Sequence, residues 1–123
     1  MKIFLLLIVL TTFTNVISSA NILKATELLE AMKSEPFGEY NSFALGWIAA
    51  TNGQMATRTI PNEKSDGDGW YINCTKDKST KRLYNEFRAY LENLKIMDMI
   101  ETPSAIAHYQ KYYLHYCKVL NKF

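Results

Sequence analysis

The residues of this chain that could do chemistry are two histidines, two cysteines and scattered carboxylates. His108 and His115 are seven residues apart, which separates their rings by roughly 10 Å along a helix. That distance is too long for one metal ion, and helical zinc pairs use a spacing of four residues. We therefore predict ordinary surface or half-buried histidines, with no metal site and no cofactor.

Cys74 and Cys117 can form the only intrachain disulfide that this sequence permits. We expect them to pair if the chain enters an oxidising compartment, and a cysteine held in a disulfide cannot act as a nucleophile. A bond that closes a loop of 43 residues would contribute roughly 3 to 4 kcal/mol to stability. The alternative is two separate buried thiols. Because no polar groups converge, the sequence does not predict an enzyme.

Two short motifs near the middle of the chain resemble known sites. Ser65 to Gly69 alternates aspartate with glycine as calcium loops do, but no third acidic ligand and no closing glutamate follow, so we predict a solvated glycine turn. Asn73-Cys74-Thr75 fits the N-glycosylation sequon, which matters only in a eukaryotic source.

Four tyrosines crowd the end of the chain: Tyr109, Tyr112, Tyr113 and Tyr116. Spacings of three and four residues cannot place all of them in so small a core, so some are expected to face outward. An exposed tyrosine is a typical interface anchor, which makes a self-association or partner surface one interpretation. The equal alternative is that the rings cover the core while their hydroxyls stay in water.

Residues 1–20 have the pattern of a secretory signal peptide. Lys2 precedes the apolar run Ile3 to Leu10, and Ser18-Ser19-Ala20 supplies small residues for cleavage before Asn21. The apolar run is shorter than the roughly 20 residues of a membrane-spanning helix, so we do not predict a stable membrane association. An export signal also places the two cysteines in an oxidising compartment.

The remaining residues, 21–123, are enough for one domain with one core. The leader contains one lysine and no acidic residue, so removing it from the chain's 14 basic and 12 acidic residues leaves 13 against 12. Partners such as nucleic acid or anionic membrane usually require a basic patch or tract, which this balance does not indicate.

Helical periodicity occurs in four segments. The first is Asn21 to Lys33 with Thr26 as a possible cap, and the second begins at about Glu39. The third is capped by Ser79 or Thr80, and the fourth begins with Thr102 as its cap and Pro103 as its first residue. Gly46 inside the second helix suggests that another backbone or a bulky ring packs close to it.

Asn52 to Lys78 lacks a helical period and contains several glycines and a proline. A loop of this length is uncommon in a small domain unless it binds a partner or is tied covalently, and Cys74 near its end supplies the tie. The sequence therefore predicts an all-α fold, a small compact four-helix domain with one long disulfide-tied loop.

The order of several motifs resembles the Rap/Tai family of immunity proteins, small exported helical proteins that protect bacteria from cell-wall amidase effectors of type VI secretion systems. The motifs, which span nearly the whole mature chain, are Glu27-Leu-Leu-Glu-Ala-Met32, Phe43-Ala-Leu-Gly-Trp-Ile-Ala49, Cys74, Ser79, Tyr90-Leu-Glu92, Pro103-Ser-Ala105 and a terminal aromatic-rich helix ending at Cys117. Met32 and Ala44 stand where the family has two further cysteines. Their joint replacement implies that one disulfide has given way to apolar packing and that the other is retained.

The resemblance implies a periplasmic protein that binds and inhibits a peptidoglycan amidase, typically as a homodimer. It places the effector contact between Arg58 and Trp70 and on the third predicted helix, which begins at Ser79 or Thr80. It places a candidate dimer surface on the fourth predicted helix, which begins at Thr102. The predicted partner-binding residues are Arg58, Asn62, Glu63, Lys64, Asp66, Asp68 and Trp70, and the predicted dimer residues are Tyr109, Tyr112, Tyr113 and Tyr116. The alternative function is a periplasmic stress or chaperone-like helical protein of similar disulfide-clamped design.

Overall fold

The computed structural model describes residues 23–58 and 69–120, and the predicted signal peptide lies outside them. Within these ranges the regular secondary structure is helical apart from one isolated bridge, and turns and short irregular segments join the helices, which confirms the predicted all-α fold. The helices are α1 (Ala25–Lys33), α2 (Ser42–Arg58), α3 (Trp70–Thr75), α4 (Thr80–Asn93), α5 (Ile96–Glu101) and α6 (Ala105–Tyr113), and α6 continues as the π-helical segment Leu114–Leu120.

The start of the described chain is fastened to the start of α6. The Ala25 amide donates to the Pro103 carbonyl over 2.7 Å, and the Ala105 amide donates to the Leu23 carbonyl over 2.9 Å. Because backbone pairing serves the first amide of α1, this helix begins without a side-chain cap. Thr26, the predicted cap, lies inside the first turn.

Helix α2 begins where Asn41 caps it, its Oδ1 accepting the Ala44 amide over 3.0 Å. It ends at Arg58, so the prediction that helical structure stops before Asn52 is wrong. Met55 explains the extension, because its side chain packs into the core one turn beyond the predicted end. The long connection is therefore shorter than the sequence suggested.

The prediction that a backbone or ring packs close to Gly46 is also wrong. A β-carbon built on Gly46 would meet no atom within 4 Å outside its own surroundings in the helix, and the same holds for Gly53. Both glycines are exposed along one side of α2. An open depression lies on this helix, lined by Ala50, Gly53, Gln54 and Thr57.

Two short helices, α3 and α5, were not predicted. Helix α3 occupies sequence that we expected to be coil, and it begins after Gly69, whose φ of +73° is a left-handed conformation suited to glycine. Helix α5 has no buried residue, and its six residues are too few for an apolar period to be recognised.

The cap of α6 is Ser104 rather than Thr102. The Ser104 hydroxyl accepts the Ala107 amide over 3.4 Å, so Pro103 precedes the cap instead of following it. The Thr102 residue contributes its backbone carbonyl, which accepts a hydrogen bond from the His108 ring.

The core lies where α1, α2, α4 and α6 meet, and its centre is aromatic. Phe87 of α4 is buried between Trp47 of α2, stacked at 6.1 Å between ring centroids, and Tyr109 of α6, edge-on at 5.1 Å. The predicted apolar faces supply most of the buried side chains. The fully buried hydrophobic residues are Ala25, Leu28, Met32, Ala44, Ile48, Tyr71, Leu83, Tyr84, Phe87, Leu91, Ala105, Tyr109 and Tyr113.

The substitution Ser104→Ala should lower the free energy of unfolding by about 1 kcal/mol, because it leaves an amide in the first turn of α6 without its acceptor. The matched substitution Thr102→Ala should change it by less than about 0.5 kcal/mol. Urea unfolding followed by circular dichroism measures both. An equal or larger loss for Thr102→Ala would contradict the assignment of the cap.

Candidate interaction site

The disulfide predicted from the sequence is present and joins α3 to the end of the chain. Cys74 lies near the C-terminal end of α3, and Cys117 lies in the π-helical segment with 6% of its surface exposed. Their Cα atoms are 5.6 Å apart, a usual separation for a disulfide. The alternative of two separate thiols is therefore wrong. The disulfide ties α3, the helix that follows residues 59–68, to the π-helical segment at Cys117.

Tyr71 is a second anchor of α3. Its buried hydroxyl lies 2.7 Å from Oδ1 of Asn52 on α2 and 2.6 Å from the hydroxyl of Tyr109 on α6. Since Asn52 Oδ1 can only accept, Tyr71 donates to it and accepts from Tyr109. One hydroxyl thus fixes α3 to two other helices.

A partly buried ion pair holds the connection between α3 and α4. The Lys78 ammonium donates to both carboxylate oxygens of Glu86 over 2.9 Å, and its side chain is 7% exposed. The Tyr113 hydroxyl donates to the same carboxylate over 3.3 Å, and the ammonium lies 4.5 Å from the centroid of the Tyr116 ring. These contacts offset the desolvation of the two charges.

Together these interactions form what we call the α3 clamp. It fastens α3 and the connection after it to α2, to α4 and to the last helix. Its residues are Asn52, Tyr71, Cys74, Lys78, Glu86, Tyr109, Tyr113 and Cys117. Because Asn52 lies on α2 and Tyr71 on α3, the clamp holds together the two helices that bracket the 59–68 stretch.

Burial makes the tyrosine hydroxyls of the clamp weaker acids than a tyrosine in water. Desolvation raises the pKa of Tyr71 to about 12, and the hydrogen bond with Tyr109 opposes part of that rise. Desolvation also raises the pKa values of Tyr109 and Tyr113 well above the usual value. The neighbouring Tyr71 adds to the rise at Tyr109, and the Glu86 carboxylate adds to it at Tyr113.

Stability should therefore fall above pH 10. An unfolded tyrosine ionises near pH 10, whereas folded Tyr71 keeps its proton until about pH 12. The contribution is fully present below pH 10 and is lost as pH rises through 12, by about 2 to 3 kcal/mol for Tyr71 alone. We expect tyrosinate absorbance and loss of helical circular dichroism to rise together between pH 10 and 12. Complete ionisation near pH 10 with the helices intact would contradict the clamp.

Most of the predicted partner-binding residues, namely Asn62, Glu63, Lys64, Asp66 and Asp68, lie outside the described residues. Arg58 is the last residue of α2. Trp70 is the first residue of α3, half-buried, with its ring edge-on to Tyr71 at 5.8 Å between centroids. The structure thus places the two ends of the predicted contact region on helices that the clamp joins.

The predicted dimer surface needs correction. Tyr109 and Tyr113 are fully buried, because one belongs to the aromatic core and both belong to the clamp, so they do not form a surface. Tyr112 and Tyr116 are half-buried, and their rings stack with their centroids 5.9 Å apart. The Tyr90 ring also stacks on Tyr112, at 4.7 Å between centroids, so the three rings form a row. Of the four predicted dimer residues, Tyr112 and Tyr116 are the two that keep part of their surface exposed.

The two histidines have separate environments. His108 is buried, whereas a surface or half-buried histidine was predicted, and its Nε2 donates to the Thr102 carbonyl. Its Nδ1 has no hydrogen-bond partner within the described part of the chain. His115 is exposed on the π-helical segment. The described residues contain no group of three or more His, Cys, Asp or Glu placed to hold a metal ion.

Several large apolar side chains are exposed in the described part of the chain, and a helical period does not identify them because it indicates which face is apolar and not whether that face is covered. Phe37 is 99% exposed, and Phe43, in the first turn of α2, is 57% exposed. Helix α5 exposes Ile96, Met97 and Ile100. None of the described helices is long and apolar enough to cross a membrane.

Comparisons of this chain with protein-family models, with curated proteins and with solved structures give no match. The resemblance to the Rap/Tai family therefore stays a prediction from the motifs of this sequence.

Proposed function

We propose that this protein is a periplasmic immunity protein that binds and inhibits a cell-wall amidase effector of a type VI secretion system. The observation that carries the proposal is the Cys74–Cys117 disulfide, which joins the two cysteine positions retained in the Rap/Tai-like motif order. The export-type leader and the helical fold agree with it. The proposed activity is stoichiometric binding, without catalysis by this chain.

The α3 clamp supports an inhibitory role through preorganisation. Ordering a flexible contact region on binding costs roughly 0.5 to 1.5 kcal/mol for each immobilised side chain, which weakens the complex. The clamp fixes α2 and α3, at either end of the proposed contact residues Arg58 to Trp70. These two helices then need no ordering when the effector binds.

A homodimer is part of the proposal. Because Tyr109 and Tyr113 are buried, we assign its contact to the partly exposed tyrosines of the last helix. Tyr112 and Tyr116 present partly exposed rings beside Tyr90. Such rings are large, rigid and amphipathic, and they suit a protein interface.

A second candidate function is a periplasmic chaperone-like protein. The exposed apolar face of α5, formed by Ile96, Met97 and Ile100, favours it because such proteins bind unfolded clients through apolar surface. Rescue of unrelated clients from acid aggregation without any effector would support this function.

The test uses the amidase encoded beside this gene and the oxidised protein purified from periplasm after expression of the full chain. We expect a stable complex and loss of peptidoglycan hydrolysis at equimolar protein. Trp70→Ala should weaken binding at least tenfold, because it removes an aromatic ring at the edge of the contact region. His115→Ala, on an exposed part of the last helix, is the matched control and should bind normally. The absence of a complex with the wild-type protein would refute the proposal.

A further inference from the structure

Phe37 stands at the tip of a tight turn between α1 and α2. The Glu39 amide donates to the Pro36 carbonyl over 3.0 Å, and Gly38 has a φ of +93°. A positive φ at the third position is the geometry of a type II turn, which requires glycine there. The second position makes no demand for an aromatic residue, yet it holds a phenylalanine that is 99% exposed.

The base of this turn is held on both sides. On the α1 side the Ser34 hydroxyl donates to the Ala31 carbonyl over 2.7 Å, and the Asn41 side-chain amide donates to the same hydroxyl over 3.4 Å. On the α2 side the Asn41 backbone amide donates to the Tyr84 hydroxyl of α4 over 3.2 Å. The turn is therefore part of the folded body.

Tyr40 adds an aromatic anchor just after the turn. Its ring lies edge-on to Tyr84 at 5.0 Å between centroids, and its hydroxyl accepts from the Asn85 amide over 3.0 Å. The Lys81 ammonium lies 5.2 Å from the centroid of the same ring. Tyr40 is thus packed onto α4, whereas Phe37, three residues earlier, is left in water.

A single exposed apolar side chain is common and needs no explanation by itself. Phe37 differs because its turn is preorganised, so burying it against a partner requires little further ordering of the backbone. Phe43, in the first turn of α2, is a second exposed phenylalanine at the same junction. Aromatic side chains that enter a partner's pocket supply much of the energy of protein interfaces.

The charges beside the turn specify the partner further. Glu35 and Glu39 flank Phe37, and neither forms a salt bridge within the described residues. A complementary surface would present an apolar pocket with basic residues at its rim.

We infer that the Phe37 turn is a binding anchor that inserts its ring into an apolar, basic-rimmed pocket of a partner protein. The inference rests on the proposed function and names the amidase effector as that partner. It adds a contact on the connection between α1 and α2, in a part of the chain that neither the motifs nor the clamp assigns to binding.

The experiment measures effector affinity by calorimetry for the wild-type protein, Phe37→Ala and a matched control, Ile96→Ala, which removes another exposed apolar side chain from α5. Phe37→Ala should weaken binding about 30-fold or more, the loss typical of a hot spot. Its thermal midpoint should stay within about 3 °C of wild type, because the ring makes no core contact. Ile96→Ala should bind like wild type. Glu35→Lys with Glu39→Lys should slow association.

Each other outcome overturns the inference in a recognisable way. If the wild-type protein binds the effector and Phe37→Ala binds equally well, the anchor is wrong and the proposed function stands. If the wild-type protein does not bind, both fail. If Phe37→Ala instead abolishes concentration-dependent self-association in sedimentation, with effector affinity unchanged, the turn contacts a second copy of this chain.

Discussion

Helix α3 has six residues, fewer than two turns, and helices of this length are not stable in water on their own. It persists because the α3 clamp bonds it to α2, to α6 and to the π-helical segment. The Tyr71 hydroxyl bonds to α2 and α6, and the Cys74 sulfur bonds to the last helix. The position of α3 fixes where the chain leaves the 59–68 stretch. The proposed role of Arg58 to Trp70 in binding therefore depends on these few bonds.

The clamp also explains why a polar network occupies part of a small core. Lys78 and Glu86 are two charges in a largely buried place, which is unfavourable unless each is fully engaged. Glu86 receives the ammonium through both oxygens and also accepts from Tyr113. Removing one of these side chains would leave the others without a hydrogen-bond or ion-pair partner. The network therefore favours a single arrangement of α3 relative to α4 and α6.

The sequence predicted the parts of the fold that carry a long apolar period. Helix α4 shows this well, because Ser79 caps it as expected and Leu83, Phe87 and Leu91 are buried as their spacing indicates. Helices α3 and α5 were missed, since six residues give a period too short to recognise.

The candidate site was harder to predict than the fold. Pairing of Cys74 and Cys117 follows from the count of two cysteines and from the predicted export to an oxidising compartment, but the roles of the tyrosines depend on tertiary contacts. A crowded row of tyrosines is equally consistent with a core and with a surface, and only the folded chain separates buried Tyr109 from half-exposed Tyr112. The exposure of Phe37 follows from the turn around it and has no signature in the sequence pattern.

The most direct test of this account is native-state hydrogen exchange of α3 with and without the disulfide. The amides of Asn73 and Lys76 donate within and just after this helix, to Gly69 and Ile72. These amides should be protected in the oxidised protein and should exchange at least about 100-fold faster in the double variant Cys74→Ser, Cys117→Ser, with a smaller change in α4. Equal protection of α3 in both proteins would show that the disulfide does not hold it.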